Sequence, residues 1–335
     1  MQPFTYARAA DVAEAVAAGA DGTTAFLAGG TELLNWMRLG LLDPARVLDI
    51  SRLPGLDRIE ARPGGALRIG ALCRLNDVAE HEAVARDYPV LAQAILKAAS
   101  AQLRNLATTG GNPVQRTRCA YYRAEDVLPC NKRVPGSGCS ALDGHNDRHA
   151  IFGWTEACVA TQPSDPAVAL AALDAVIVTE APASAPGGGG RRIPARAFHT
   201  LPGEAGPVPH NVLRPGELIV AIELPAPARQ SAYVKVRERE SYEYATVSAA
   251  AAVEAEGGVI RRARLALGSV AHRPWRLDEA ERRLVGVLLS DRDALRAALD
   301  GSFADARPLS HNAYKVPLAR NAAVRALETA GGMNA

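Results

Sequence analysis

Residues 24–40 read TAFLAGGTELLNWMRLG, and the interpretation of this stretch decides the fold. The first four residues are a short apolar run of strand type, and Ala28, Gly29, Gly30 and Thr31 form a tight turn. From Glu32 to Leu39 the apolar residues recur at helical spacing, and Gly40 stops the helix. Two adjacent glycines at the elbow of a strand–turn–helix unit let backbone N–H groups approach an anion closely, and successive N–H groups form a nest for it. The helix start beyond the turn favours negative charge as well.

A second turn of the same kind lies at 107–113, ATTGGNP, with Thr108, Thr109, Gly110, Gly111 and Asn112 at its centre. Neither turn matches the G-x-G-x-x-G dinucleotide fingerprint or the P-loop. Singly, each is first of all an ordinary tight turn. As a pair flanked by hydroxyl side chains, they also suit a pyrophosphate held between them.

Outward from these turns, 46–50 and 66–71 read as strands. Asn76 or Asp77 is expected to cap a helix running to about Arg86, and Pro89 to open another that reaches Ser100. Residues 101–157 are polar, rich in turn formers and weakly periodic, which in a compact domain marks a functional segment. Ser164, Asp165 and Pro166 open a short apolar helix, with Asp165 read first as part of its cap. A strand follows at 175–179, and 181–190 (APASAPGGGG) fits either an interdomain linker or a long hairpin tip. Another strand runs over 217–224.

From Ser231 the pattern becomes three antiparallel strands, 233–237, 248–254 and 263–268, then helices near 277–299 and 316–330. This places a domain boundary near 226–231 in an α/β or α+β architecture with a smaller C-terminal α+β domain.

A length of 335 residues suits two domains, or one large domain with an appendage. A hydrophobic fraction of 48%, a charged fraction of 22% and a net charge of +2 describe an ordinary globular protein. No strong field points to nucleic acid or an anionic membrane surface. No apolar run is long enough to span a bilayer, and MQPFTYARAADVAEAV lacks the features of an export signal. Only 5% of residues are aromatic, so binding by stacked aromatics is an unfavoured theme.

Five cysteines, an odd number, argue against a disulfide scaffold. Cys119, Cys130, Cys139 and Cys158 are separated by intervals that include no C-x₂₋₄-C pair, so zinc spacing is absent. Iron–sulfur ligands wrapped by a folded loop tolerate wider spacing, and Arg116, Arg118, Arg123, Lys132 and Arg133 can balance an anionic cluster. Spacing alone leaves unrelated buried thiols, a cluster and zinc all open. Cys73 reads as a small packed side chain. His145 and His149 are spaced i, i+4, but Gly144 and Asn146 beside them favour a turn over a helical metal site. Lys235, Arg237 and Arg239 alternate along a strand, mostly as solvent-facing charges. No Ser/His/Asp or Cys/His set suggests covalent hydrolysis.

At these residues the chain resembles the flavin-binding medium subunits of molybdenum hydroxylases, a family that includes xanthine dehydrogenases, carbon monoxide dehydrogenase and 4-hydroxybenzoyl-CoA reductase. The likeness spans the whole chain. The segments AQLRNLATTGGNPVQRTRCAYYR, PCNKRVPGSGCSALDGHNDRHAIFG and ATQPSDPAVALAALDA are similar to one branch, the FAD subunits of bacterial periplasmic aldehyde oxidoreductases. Those are three-subunit enzymes whose flavin subunit carries an extra [4Fe–4S] cluster.

The resemblance implies a two-subdomain FAD-binding domain of the vanillyl-alcohol-oxidase (PCMH) type at 1–228, with a [4Fe–4S] insertion at about 113–160. A smaller α+β domain would follow at 229–335. It implies that Cys119, Cys130, Cys139 and Cys158 ligate the cluster. It places Phe26, Leu27, Ala28, Gly29, Gly30, Thr31, Glu32, Leu33, Thr108, Thr109, Gly110, Gly111, Asn112 and Gln115 around FAD. Asp165 falls near the ribityl chain, Lys235 reaches the flavin, and Tyr242 lies over its accessible edge. His145 and His149 become neighbours of the cluster.

The implied role is electron transfer. A molybdenum-cofactor subunit would oxidise an aldehyde to its acid with water as oxygen source. A [2Fe–2S] subunit would feed electrons to FAD here, and a small-molecule or protein acceptor would take them. Three other readings remain: the medium subunit of a related molybdenum hydroxylase of the xanthine or hydroxybenzoyl-CoA type, a stand-alone flavin oxidoreductase and a zinc-stabilised interaction protein. The complex is expected in the periplasm by co-export with a signal-bearing partner, or in the cytoplasm.

Overall fold

The computed structural model describes residues 1–332 apart from 184, 186–187 and 204–206. Three sheets organise it. Strands β1 (Thr5–Arg8), β2 (Thr24–Leu27) and β3 (Arg46–Asp49) form a parallel sheet in the order β1-β3-β2. Parallel neighbours need crossovers, and the helices Val12–Gly19 and Leu33–Arg38 supply them.

The second sheet has the order β4-β5-β8-β6-β7, from β4 (Ile59–Ala61), β5 (Leu67–Gly70), β6 (Val176–Glu180), β7 (Arg192–Pro194) and β8 (Leu218–Leu224). Every adjacent pair in it is antiparallel. More than a hundred residues separate β5 from β6, so the helices and the long cysteine-bearing segment form one excursion from this sheet. Because β6 and β7 pair, 181–190 joins two partners of one sheet, as the hairpin reading expects; Ser184, Pro186 and Gly187 lie outside the described residues.

The third sheet, β12-β11-β10-β9, is antiparallel: β9 (Ser231–Val236), β10 (Val247–Glu256), β11 (Val259–Gly268) and β12 (Trp275–Arg276). Strand β10 explains its place. Ala250 and Ala252 join the core that holds the helices Pro89–Lys97 and Asp165–Ala172, while Ala249, Ala251 and Val253 join the one that holds Lys315–Ala330. Side chains alternate across a strand, so this run of alanines faces helices on both sides at close range. The chain crosses from β8 to β9 at 225–230, yet the parts on either side share a core through Tyr233, Ala250 and Ala266.

Three helix expectations need correction. Neither Asn76 nor Asp77 caps a helix: one runs over Leu75–Glu80 without a side-chain cap, breaks at extended His81, and is followed by Glu82–Asp87. Asn76 instead accepts from Arg104 Nε at 2.8 Å and bonds to Asn105, tying this helix to the short one at Ala101–Arg104. The helix expected over 277–299 is two, Asp278–Arg283 and Arg292–Asp300. Gly286, at φ +87°, turns the chain between them, and Asp291 caps the second by accepting from Ala294 N at 2.9 Å. The Pro89 helix ends at Lys97, short of Ser100, with Ala99 at φ +48°. Among the described residues no helix is long and apolar enough to cross a membrane.

Candidate functional site

The two glycine turns meet. A Cβ placed on Gly29 would lie 1.9 Å from Leu106 O, so only glycine lets the first turn press backbone to backbone on the segment entering the second. Gly30 sits at φ +73°. Among the described residues the N–H groups of Gly29, Gly30 and Thr31 donate to no protein acceptor, so this turn has free donors to offer.

The second turn differs. Its N–H groups are used internally, Thr109 N to Cys73 O, Gly110 N to Ala71 O, Gly111 N to Thr108 Oγ1 and Asn112 N to Thr108 O, at 2.8–3.2 Å. The pair is therefore not symmetric: the first turn presents backbone donors and the second presents side chains.

Between them opens a cleft of about 440 Å³. Of the 17 residues that sequence placed around FAD, 14 line it; Leu27, Thr109 and Gly110 do not. Leu27 packs beside Trp36, Met37 and Val47. Thr109 and Gly110 fasten the second turn from behind, on Cys73 and Ala71.

Asp165 reaches the cleft from the first turn of the helix Asp165–Ala172, which Ser164 caps by accepting from Ala167 N at 3.0 Å. The Ser164 hydroxyl also donates to Asn112 Oδ1 at 2.5 Å, joining the cap to the second turn. Asp165 Oδ2 takes Lys235 Nζ at 2.8 Å and Oδ1 takes Tyr233 Oη at 2.5 Å. Both members of the Lys235–Asp165 pair are buried. Burial pushes the Asp165 carboxyl up, and the Lys235 ammonium opposes that shift. Lys235 is thus not one of the solvent-facing charges of its strand. Lys235 Nζ also donates to Lys97 O at 2.9 Å, a carbonyl that the neighbouring Arg237 reaches at 3.3 Å.

Tyr242 stands at the cleft mouth, 58% exposed and at φ +52°, with its carbonyl accepting from Arg239 Nη2 at 2.5 Å. A non-glycine residue in the left-handed region is uncommon and marks a constrained loop.

Sequence reasoning missed several lining groups. Trp36 and Asn35 lie one turn beyond the glycines on their helix, and Ala98, Ala99 and Leu103 come from the end of the Pro89 helix and the turn after it. Arg118 lines the cleft too, with its guanidinium 4.8 Å from the Tyr244 ring centroid and its buried Nε unpartnered. Its place in RTRC suggested only a charge beside the cysteines.

Cys119, Cys130, Cys139 and Cys158 line a second, smaller cavity. Cys130 and Cys139 pair across an antiparallel bridge, and Ser137 Oγ accepts from Cys130 N at 2.9 Å. Asn131 organises the loop: its Oδ1 accepts from Gly136 N and Gly138 N at 3.0 Å each, and its Nδ2 donates to Ala157 O at 2.9 Å, beside Cys158.

All four are free thiols. Burial pushes Cys119 up to about 12 and Cys158 up to about 11. Lys132 lines the same wall, pushed down to about 8 by burial while the thiols oppose the shift. Among the described residues no three His, Cys, Asp or Glu side chains gather closely enough for a single metal ion. His149 Nε2 is 3.2 Å from Cys119 Sγ, whereas His145 stacks on His311 at 5.1 Å. Lys315 and Asn312 hold the His149 carbonyl at 2.8 and 3.2 Å. Cys73 lies apart in the core.

Residues 2–227 match the family described as the FAD binding domain in molybdopterin dehydrogenase, and 232–330 match the CO dehydrogenase flavoprotein C-terminal domain. The chain is 46% identical over 324 residues to the aldehyde oxidoreductase FAD-binding subunit PaoB of Escherichia coli (strain K12), covering 96% of each. It is 29% identical over 337 residues to the carbon monoxide dehydrogenase medium chain of Hydrogenophaga pseudoflava, covering 98% of this chain and 96% of the relative. A solved carbon monoxide dehydrogenase from Hydrogenophaga pseudoflava superposes at a TM-score of 0.74 with 28% identity, covering 100% of both chains.

Proposed function

The chain belongs to the FAD-binding medium subunits of the molybdenum hydroxylases, and from that premise we propose that it is the electron-transfer subunit of an aldehyde-oxidising complex. The observation that carries this reading is the cleft, where the free N–H groups of the first glycine turn face the same space as Asp165 and Lys235. The donor set fits FAD: backbone donors for a pyrophosphate, the side chains of Thr108, Asn112 and Gln115 for sugar and ribityl hydroxyls, and a buried Lys–Asp pair. FAD, when bound, supplies exchange between one-electron donors and a two-electron acceptor.

The residues do the positioning. Gly29 lets the turn close on Leu106, and Ser164 ties the second turn to the buried helix. Asp165 holds Lys235 in place, and Tyr242 covers the mouth. The part at 1–228 would carry the flavin and that at 229–335 would close over it.

The cysteine cavity supports the [4Fe–4S] cluster of the insertion at about 113–160. All four cysteines of the insertion line one cavity, and burial keeps the thiols of Cys119 and Cys158 protonated, so a cluster would have to bind them as thiolates. Lys132 would stand beside it as a compensating cation.

The partners in this reading are a molybdenum-cofactor subunit, which oxidises the aldehyde to its acid, and a [2Fe–2S] subunit that delivers electrons here. An external small molecule or protein accepts them. Periplasmic residence would follow from export with a signal-bearing partner, and fractionating cells with and without that partner tests it.

The absorption spectrum of anaerobically purified protein tests the cofactor content. Flavin bands over a broad iron–sulfur shoulder, with about four irons per chain, are expected. Flavin bands without iron contradict the cluster. Aldehyde turnover by the isolated chain would favour a stand-alone flavin enzyme instead.

A further inference from the structure

The cleft and the cysteine cavity are fastened to each other by one carboxylate. Glu32 is the N-cap residue of the helix Leu33–Arg38, yet its side chain caps nothing. It accepts from Trp36 Nε1 at 2.7 Å and from Arg123 Nη2 at 3.5 Å, and it ion-pairs with Arg118. The two arginines flank Cys119, and the helix that Cys119 opens, Ala120–Arg123, ends in one of them. Arg123 is held from its other nitrogens as well, donating to Thr117 O at 2.9 Å and to Asn35 Oδ1 at 3.2 Å.

A parallel contact lies alongside. Arg116 sits over the Trp36 ring, 4.3 Å from its centroid, and donates to Tyr122 Oη at 3.1 Å. Glu32, Asn35, Trp36 and Arg118 line the cleft, whereas Cys119 and Tyr122 line the cysteine cavity. The side chains of Glu32, Arg118 and Arg123 are only 20%, 20% and 14% exposed. Charges buried to that degree are weakly screened, and removing one strands the others unpaired.

We propose that Glu32 is a positioning residue that couples the two sites, so that filling the cleft and ordering the Cys119 segment stabilise each other through Arg118 and Arg123. This rests on the reading that the cleft takes FAD and the cysteines a cluster. Coupling of this kind is reciprocal: whatever factor the cluster adds to flavin affinity, flavin adds to cluster retention.

A thermodynamic cycle on the full chain tests it. The four forms are wild type, Glu32→Gln, the cluster-free Cys158→Ser and the double variant, with the Kd for FAD read by flavin fluorescence and iron counted per chain. Cys158→Ser removes a ligand that lies away from the bridge. In the wild-type background it is expected to weaken FAD binding on the order of tenfold, and in the Glu32→Gln background by a factor near one. The same weakening in both backgrounds overturns the coupling. If circular dichroism finds Glu32→Gln unfolded, Arg123→Gln carries the same cycle, and a ratio it leaves intact overturns the proposal equally. Wild-type protein without iron overturns the underlying reading instead, so the two failures are distinguishable.

Discussion

Lys235 and Asp165 show what a single buried pair does here. Lys235→Met leaves the buried Asp165 carboxyl without its ion-pair partner, and breaking such a pair costs about 3–5 kcal/mol. Tyr233 Oη remains on Oδ1, so part of that cost is offset. We expect Lys235→Met to lower Tm and to release FAD on gel filtration, and Asp165→Asn added to it to recover part of the Tm. A double variant as unstable as the sum of the singles would mean that the two do not act as a pair.

At this scale the sequence was partly legible. Asp165 reads as part of a helix cap and sits one residue past that role, since Ser164 does the capping. Arg118 was missed because its meaning depends on Glu32, 86 residues earlier, and no local pattern encodes that contact.

Among the elements, the helix Asp165–Ala172 is the one the site leans on. All of its residues are buried, so it has no solvent to satisfy its end, and Ser164 does that work. Ser164→Ala should cost about 1 kcal/mol. It also frees Asn112, so a Tm lower by about 2–4 °C should accompany weaker FAD binding. A loss of stability with unchanged flavin affinity would detach the cap from the site.

Elements with strong punctuation were legible: strand, glycine turn and helix at 24–40, and the Pro166 start. The helix at Leu75–Glu80 was placed late because Asn76, a good cap by type, is engaged by Arg104 and Asn105. The split between Asp278–Arg283 and Arg292–Asp300 was hidden because leucine and arginine keep helical spacing across Gly286, whose positive φ only the structure shows.

Across the whole molecule, the long excursion between β5 and β6 is packed against the third sheet, and several neutral histidines are buried where the parts meet. His199 gives Nε2 to Pro113 O at 2.8 Å, and His272 gives Nδ1 to Thr200 O at 2.7 Å. Burial pushes His199 down to about 4 and His272 down to about 3. Their folded values lie below the unfolded value of about 6.5. The stability they contribute is therefore complete above about pH 6.5 and is lost as pH falls from there toward 4 and 3. Tm should decline as pH drops from 7 to 5, and His272→Gln should decline less steeply; parallel slopes would assign acid lability elsewhere.

The two-part organisation was legible in the change of pattern near Ser231. The shared core was not, because which alanines of β10 face which helix is decided by packing between segments far apart in sequence.

The central claim is that the cleft closed by the first glycine turn holds FAD. Its most direct test is a fluorescence titration of flavin-depleted wild-type chain and Gly29→Ala with FAD. A Cβ at that position would overlap Leu106 O, so the turn has to move. The account predicts saturable one-to-one quenching for wild type and none at the same concentrations for a Gly29→Ala chain that circular dichroism shows to be folded. Equal titration curves for the two would contradict it.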